Sequence, residues 1–204
     1  MTFPTNPRKW VEMNTRDHET TIIRDDGSYR HIRFKQPGTS IWWFDLVTWP
    51  GHLVIAGDLQ DYHFASTDDM FGFFRRNGYA DGINPEYWGE KLRGPGHRTH
   101  QVFSPERFKR RVYECFRDWC GWHDGPHAPL WRAIRQEVLT DEFGDVGDEN
   151  RAHQLLMEFR HGDFDFSDSG EWDLRDHDWH YLIACHAIVW GIKQYDKARV
   201  AVPA

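Results

Sequence analysis

The sequence predicts an α+β fold: an antiparallel meander of about five strands in the N-terminal third, covered by about five helices, the last one long and buried. Three observations predict it. Apolar residues alternate with period two between residues 19 and 65, with turn residues between the runs. After Ser66 the apolar spacing changes to the three-and-four pattern of helices. The C-terminal segment HDWHYLIACHAIVWGIKQYDKA is apolar on two sides, as a central helix must be.

Residues 1–18 are polar and contain Pro4 and Pro7, so they read as a loose arm ahead of a single domain over 19–204. ETTIIR and YRHIRFK flank an Asp26-Gly27 turn and form a hairpin. QPGTS turns the chain again, and IWWFDLVTW follows as a strand with Trp42, Phe44 and Leu46 on one face. Its partner is HLVIAGD. A Pro50-Gly51 turn sets Trp49 opposite His52, Val47 opposite Val54, Leu46 opposite Ile55 and Asp45 opposite Ala56. QDYHFA is the fifth strand. Ser66 is then expected to cap a short aromatic helix, MFGFFRR, and residues 78–88 to form a loop. Ser104-Pro105 opens a helix with a stripe of Phe108, Val112, Cys115, Phe116 and Trp119. Pro129 opens the next, with Leu130, Ile134 and Val138 on one side. Asp148 caps a third that carries Leu155, Leu156 and Phe159 and ends at Gly162. In the last helix, Ala184, Ala187 and Gly191 form a narrow side that allows close approach.

The chain has 204 residues, of which 16% are aromatic and 28% charged, with a net charge of −7. That is enough apolar bulk for one sizeable core. No apolar run approaches the roughly 20 residues of a membrane helix. The first residues lack the apolar stretch of a signal peptide, so a cytoplasmic location is expected. Three scattered cysteines, Cys115, Cys120 and Cys185, suggest reduced thiols rather than a disulfide framework. Charge is unevenly spread. Residues 137–178 hold 14 acids and three arginines. The stretch 98–117 is basic around Arg107–Arg111.

No glycine-rich phosphate loop and no nucleophile motif is present, and no cofactor is expected. His177 and His180 are one helical turn apart at the start of the last helix, which makes them weak metal candidates without a fixed third ligand. DFDFSDSGEWD resembles a calcium loop, but Asp168 sits where the glycine belongs and Leu174 where the last glutamate belongs. The alternation of Asp163 and Asp165 with Phe164 and Phe166 fits an edge strand with its acids outward. On the hairpin, Asp45, Trp49, His52 and Asp58 share the face opposite the apolar one. That face is either a ligand floor or simply the solvent side of the sheet.

The succession RDDGSYRHIRFKQPGTS, FDLVTWPGHLVIAGD, YHFASTDDMFGFFR, INPEYWGEKL, EWDL and ACHAIVWGIKQYD resembles a family of small bacteriophage and prophage accessory proteins, over roughly residues 20–196. The resemblance implies action in the cytoplasm of an infected bacterium and assigns no catalytic residues. The expectation that follows is a non-enzymatic inhibitor of a host defence protein or nucleic-acid enzyme, with no membrane partner, no direct nucleic-acid partner and capable of forming a homodimer. Its contact surface is the acidic set Asp141, Glu142, Asp145, Asp148, Asp163, Asp165 and Asp168. The alternatives are a ligand- or metal-binding protein using the polar sheet face, and a phage DNA-metabolism protein that binds nucleic acid through the 98–117 stretch.

Overall fold

The computed structural model describes residues 6–76, 78, 82–94, 100–141 and 144–200. Its elements in chain order are α1 (Pro7–Asn14), β1 (Glu19–Asp26), β2 (Tyr29–Lys35), β3 (Phe44–Trp49), β4 (His52–Gly57), β5 (Tyr62–Ala65), α2 (Met70–Arg76), α3 (Pro85–Gly89), β6 (Leu92–Arg93), β7 (Gln101–Phe103), α4 (Pro105–Cys120), α5 (Ala128–Glu137), β8 (Thr140–Asp141), β9 (Gly144–Asp145), α6 (Glu149–Glu158), β10 (Arg160–His161), β11 (Phe164–Asp165), a 3-10 turn (Ser169–Glu171), β12 (Arg175–His177) and α7 (Trp179–Val200). The fold is α+β, as the alternation and the later helical spacing predict.

The chain divides into two compact units, residues 1–100 with 177–204 and residues 101–176, where the sequence reading drew one domain. The reason lies in the core: the apolar residues form two clusters, and the stripe of α4 packs with α5 and α6 rather than on the sheet.

In the first unit, β1 to β6 pair in sequence order as one antiparallel sheet. The β3–β4 register matches the expectation residue for residue, including Trp49 with His52 and Leu46 with Ile55. Alternation puts Ile32, Phe34, Phe44, Leu46, Leu53, Ile55 and Phe64 on one face, all fully buried. Helix α7 lies on this face, and Gly191 marks the approach. A Cβ there would stand 2.9 Å from Leu46 Cδ1 and 3.0 Å from Phe34 Cε2. Ala184, Ala187 and Gly191 are all buried, so the narrow side does the work its composition suggests.

Several boundaries differ from the sequence reading. The segment read as a loose arm contains α1, capped by the Asn6 side chain on the Lys9 amide (3.1 Å), with Trp10 and Val11 buried. Two apolar residues are enough to dock a helix whose other side is polar, and average composition hides them. The first hairpin turns on Gly27-Ser28 rather than Asp26-Gly27, because Asp26 still pairs with Tyr29. Gly27 has φ +59°, the positive value this turn needs at its first central residue. Asp69, not Ser66, caps α2 by accepting from the Phe71 amide at 3.2 Å. Residues 85–89, read as loop, form α3 behind an Asn84 cap, and the two-residue β6 adds a sixth strand. A two-residue strand leaves too little alternation to read.

In the second unit, Ser104 Oγ accepts from the Arg107 amide at 3.1 Å and Asp148 Oδ1 from the Arg151 amide at 2.9 Å, so both expected caps form. Helix α6 ends at Glu158 rather than Gly162. The glycine, at φ +59°, instead turns the short β10–β11 hairpin. Phe164 and Phe166 are buried while Asp163 is exposed and Asp165 half-buried, the split their alternation calls for.

Candidate functional site

The face of the sheet turned away from α7 carries most of the polar side chains that the strands present. It follows from period two. With Ile32 and Phe34 buried, His31 and Arg33 of β2 point outward. With Phe44 and Leu46 buried, so do Asp45, Val47 and Trp49 of β3. The same rule puts His52 and Val54 of β4 and His63 of β5 on this face.

Two clusters form there. In the first, the Arg33 guanidinium clamps the Asp45 carboxylate with two bonds of 2.8 Å, and His31 Nε2 lies 2.7 Å from Asp45 Oδ2. Burial works to raise the Asp45 pKa, but the bonds from Arg33 and His31 outweigh it and hold the carboxyl below its usual value. The carboxylate can only accept, so His31 Nε2 carries the hydrogen between them. Arg33 also lies over the Trp43 ring at 4.9 Å. In the second cluster, Trp49 stacks on His52 with ring centroids 4.9 Å apart and a 20° interplanar angle. His52 Nδ1 is 2.9 Å from His63 Nε2, and the Trp49 ring is 5.4 Å from that of His63. His63 is held below the usual histidine pKa by burial, then by His52 and Arg93, so its neutral form is favoured. Arg93 of β6 pairs directly with His63.

Of the four residues expected on this face, Asp45, Trp49 and His52 lie on it. Asp58 does not belong to it. Its carboxylate accepts from the Trp42 amide at 2.7 Å, holding Trp42 at φ +58°. That positive φ ends the strand at Phe44, so Trp42 and Asp58 build a corner rather than a floor. His31, Arg33, His63 and Arg93 were not singled out from the sequence. The outward phase of YRHIRFK and YHFA holds the signal for the first three. Arg93 needed the unread sixth strand.

The acidic set is spread over several short elements of the second unit. Asp148 is a helix cap, and Asp165 faces Arg160 at 3.6 Å and Ser167 Oγ at 2.5 Å. Asp163 and Asp168 are exposed, Asp168 at φ +61°. Asp141 and Asp145 sit in β8 and β9, and Glu142 lies outside the described residues. Part of the block's charge is met within its own unit: Arg175 forks onto Glu149, and Arg107 reaches Asp173 at 2.9 Å and Asp176 at 3.4 Å.

His177 and His180 do not share a helix. His177 ends β12, and α7 starts behind Asp178, whose carboxylate accepts from the amides of His180 and Tyr181. His177 instead faces Glu86 at 3.4 Å and the His100 ring at 5.9 Å. Among the described residues no three His, Cys, Asp or Glu side chains are grouped to hold a metal ion. His186 is half-buried. The thiols of Cys115, Cys120 and Cys185 all have raised pKa values, with burial the largest cause, which disfavours the nucleophilic thiolate. No described helix is long and apolar enough to cross a membrane.

Fold and site together define a class: an antiparallel meander sheet backed by one long helix, with a histidine- and aromatic-bearing outer face. No family model, curated protein or solved structure matches the chain.

Proposed function

We propose that this chain is a non-catalytic accessory protein of phage origin. It acts in the bacterial cytoplasm and captures its partner on the outer face of the β1–β6 sheet. One observation carries the reading: the polar groups of that face are already fixed to one another on rigid strands, Asp45 between Arg33 and His31, and Trp49 against His52 and His63. A face whose side chains are ordered before binding loses little entropy when a partner arrives. The raised thiol pKa values and the engaged Asp45 carboxylate favour recognition over nucleophilic or acid–base chemistry. The test is affinity capture from phage-infected cells with the wild-type chain and with folded Trp49→Ala and His63→Ala variants. A partner retained equally by all three would overturn the reading.

A second reading keeps the acidic segment as the contact surface of a host-defence inhibitor, favoured by the exposure of Asp163 and Asp168. Asp163→Asn, Asp165→Asn and Asp168→Asn combined would then weaken capture and flatten its salt dependence. Unchanged capture would sink it.

A further inference from the structure

We propose that the outer sheet face binds single-stranded nucleic acid, with bases stacking on Trp49 and Tyr29 over Val47 and phosphates meeting Arg24, Lys35 and Arg93. The proposal rests on the binding-face reading above and names its partner.

A groove of about 500 Å³ runs along this face, and Ile23, Arg24, Tyr29, His31, Val47 and Trp49 are among the residues that line it. Among the described residues no carboxylate lines it, in a chain whose net charge is −7. The floor is apolar and two of the walls are aromatic, which suits the flat face of a base and not a hydrated ion. Tyr29 is 45% exposed and, with Arg24 on its ring, offers an aromatic surface at the groove. His31 adds a polar edge. With Nε2 committed to Asp45 at 2.7 Å, its Nδ1 is the ring atom left to meet a polar group on a base edge.

Charge and extent argue for a strand rather than a single nucleotide. Arg24 lies over the Tyr29 ring at 5.1 Å, and its ion pair with Asp26 is 3.2 Å long with both side chains more than half exposed. Such a pair contributes little, and a phosphate can replace the carboxylate. Lys35 has the same strand phase as His31 and Arg33, and Arg93 is exposed opposite His63. Beyond the groove, Trp49 continues into the His52 and His63 rings. From β2 to β6 the face spans four strand spacings, on the order of 19 Å, which exceeds the reach of one base. Flat rings alternating with cations on a sheet are what sequence-tolerant single-strand binding needs.

The experiment is fluorescence anisotropy of a labelled short oligothymidylate and oligouridylate titrated with the full chain at several salt concentrations. Expected is binding that weakens with salt, quenched tryptophan emission, and a loss of about ten-fold or more in Trp49→Ala with Trp49→Phe largely retaining affinity. Tyr29→Ala, at an exposed site, provides the same readout should Trp49→Ala not fold. Arg93→Glu should lower the salt slope, whereas Arg107→Ala, in the other unit, should change nothing. Absence of salt-dependent binding, equal affinity in Trp49→Ala and Tyr29→Ala, loss confined to Arg107→Ala, or thymidine monophosphate competing as well as the oligomer would each overturn the proposal. Failure here with Trp49-dependent capture from infected cells intact would remove the nucleic acid and leave the binding face standing.

Discussion

His52 Nδ1 and His63 Nε2 lie 2.9 Å apart on neighbouring strands, so one imidazole donates and the other accepts. The bond exists only while at least one ring is neutral, and Trp49 stacks on the pair. The pair therefore makes the outer face sensitive to acid.

The direction follows from the pKa of His63, which is lower in the fold than in the unfolded chain. Between the two values the unfolded state binds more protons, so stability rises with pH there. The contribution is fully present above the unfolded value of about 6.5 and is lost as pH falls through the folded one. Trp49 emission should change in that window before global unfolding, and His63→Gln should remove the transition. An identical acid profile in the variant would refute the assignment.

Asp45 contributes at lower pH. Its folded pKa is depressed, so its stabilisation is present above the unfolded value of about 3.9 and is lost as pH falls through the folded one. Asp45→Asn should cost about 1–2 kcal/mol at neutral pH, at the lower end for bonds to a charged group because Arg33 and His31 can reach water. Urea unfolding at neutral pH and at pH ~3 should show that the difference narrows in acid.

Gly191→Ala places two effects in opposition. Helix propensity favours alanine by up to about 1 kcal/mol. The new Cβ would sit 2.9 Å from Leu46 Cδ1 and 3.0 Å from Phe34 Cε2, both in the packed core, and overpacking of this kind costs about 1–3 kcal/mol. The clash should win, lowering the unfolding midpoint, and Gly191→Val should lower it further. A stabilised Gly191→Ala would show that the sheet and α7 yield easily.

Ser104→Ala removes the oxygen that accepts from the Arg107 amide and should cost about 1 kcal/mol. Hydrogen exchange should show faster opening of the first turn of α4. Unaltered protection there would mean that Pro105 and the Ser104 amide bond to the Leu174 carbonyl suffice.

The thiols offer a cheap check on burial. Cys185 is fully buried with a raised pKa, so it should resist alkylation at neutral pH until the chain unfolds. Cys115 and Cys120 are only half-buried and should react earlier.

Strands β1 to β5, the β3–β4 register and the caps at Ser104 and Asp148 were legible in the sequence. Each of these is a local decision. A strand's phase is set by its own alternation, a hairpin's register by its turn, and a cap by one side chain three residues from the amide it serves. Nothing local could say that α4 leaves the sheet for its own core, that two apolar residues dock α1, or that Asp58 serves Trp42 rather than the ligand face. These are long-range choices among many apolar and polar partners, settled by which packing fills space. The candidate site shows the same division. Alternation within the meander could place Trp49, His52 and His63 outward, but Arg93 joined them only because the two-residue β6 pairs with β5. That last pairing is a contact of two residues far along the chain, which tertiary packing decides and period two does not.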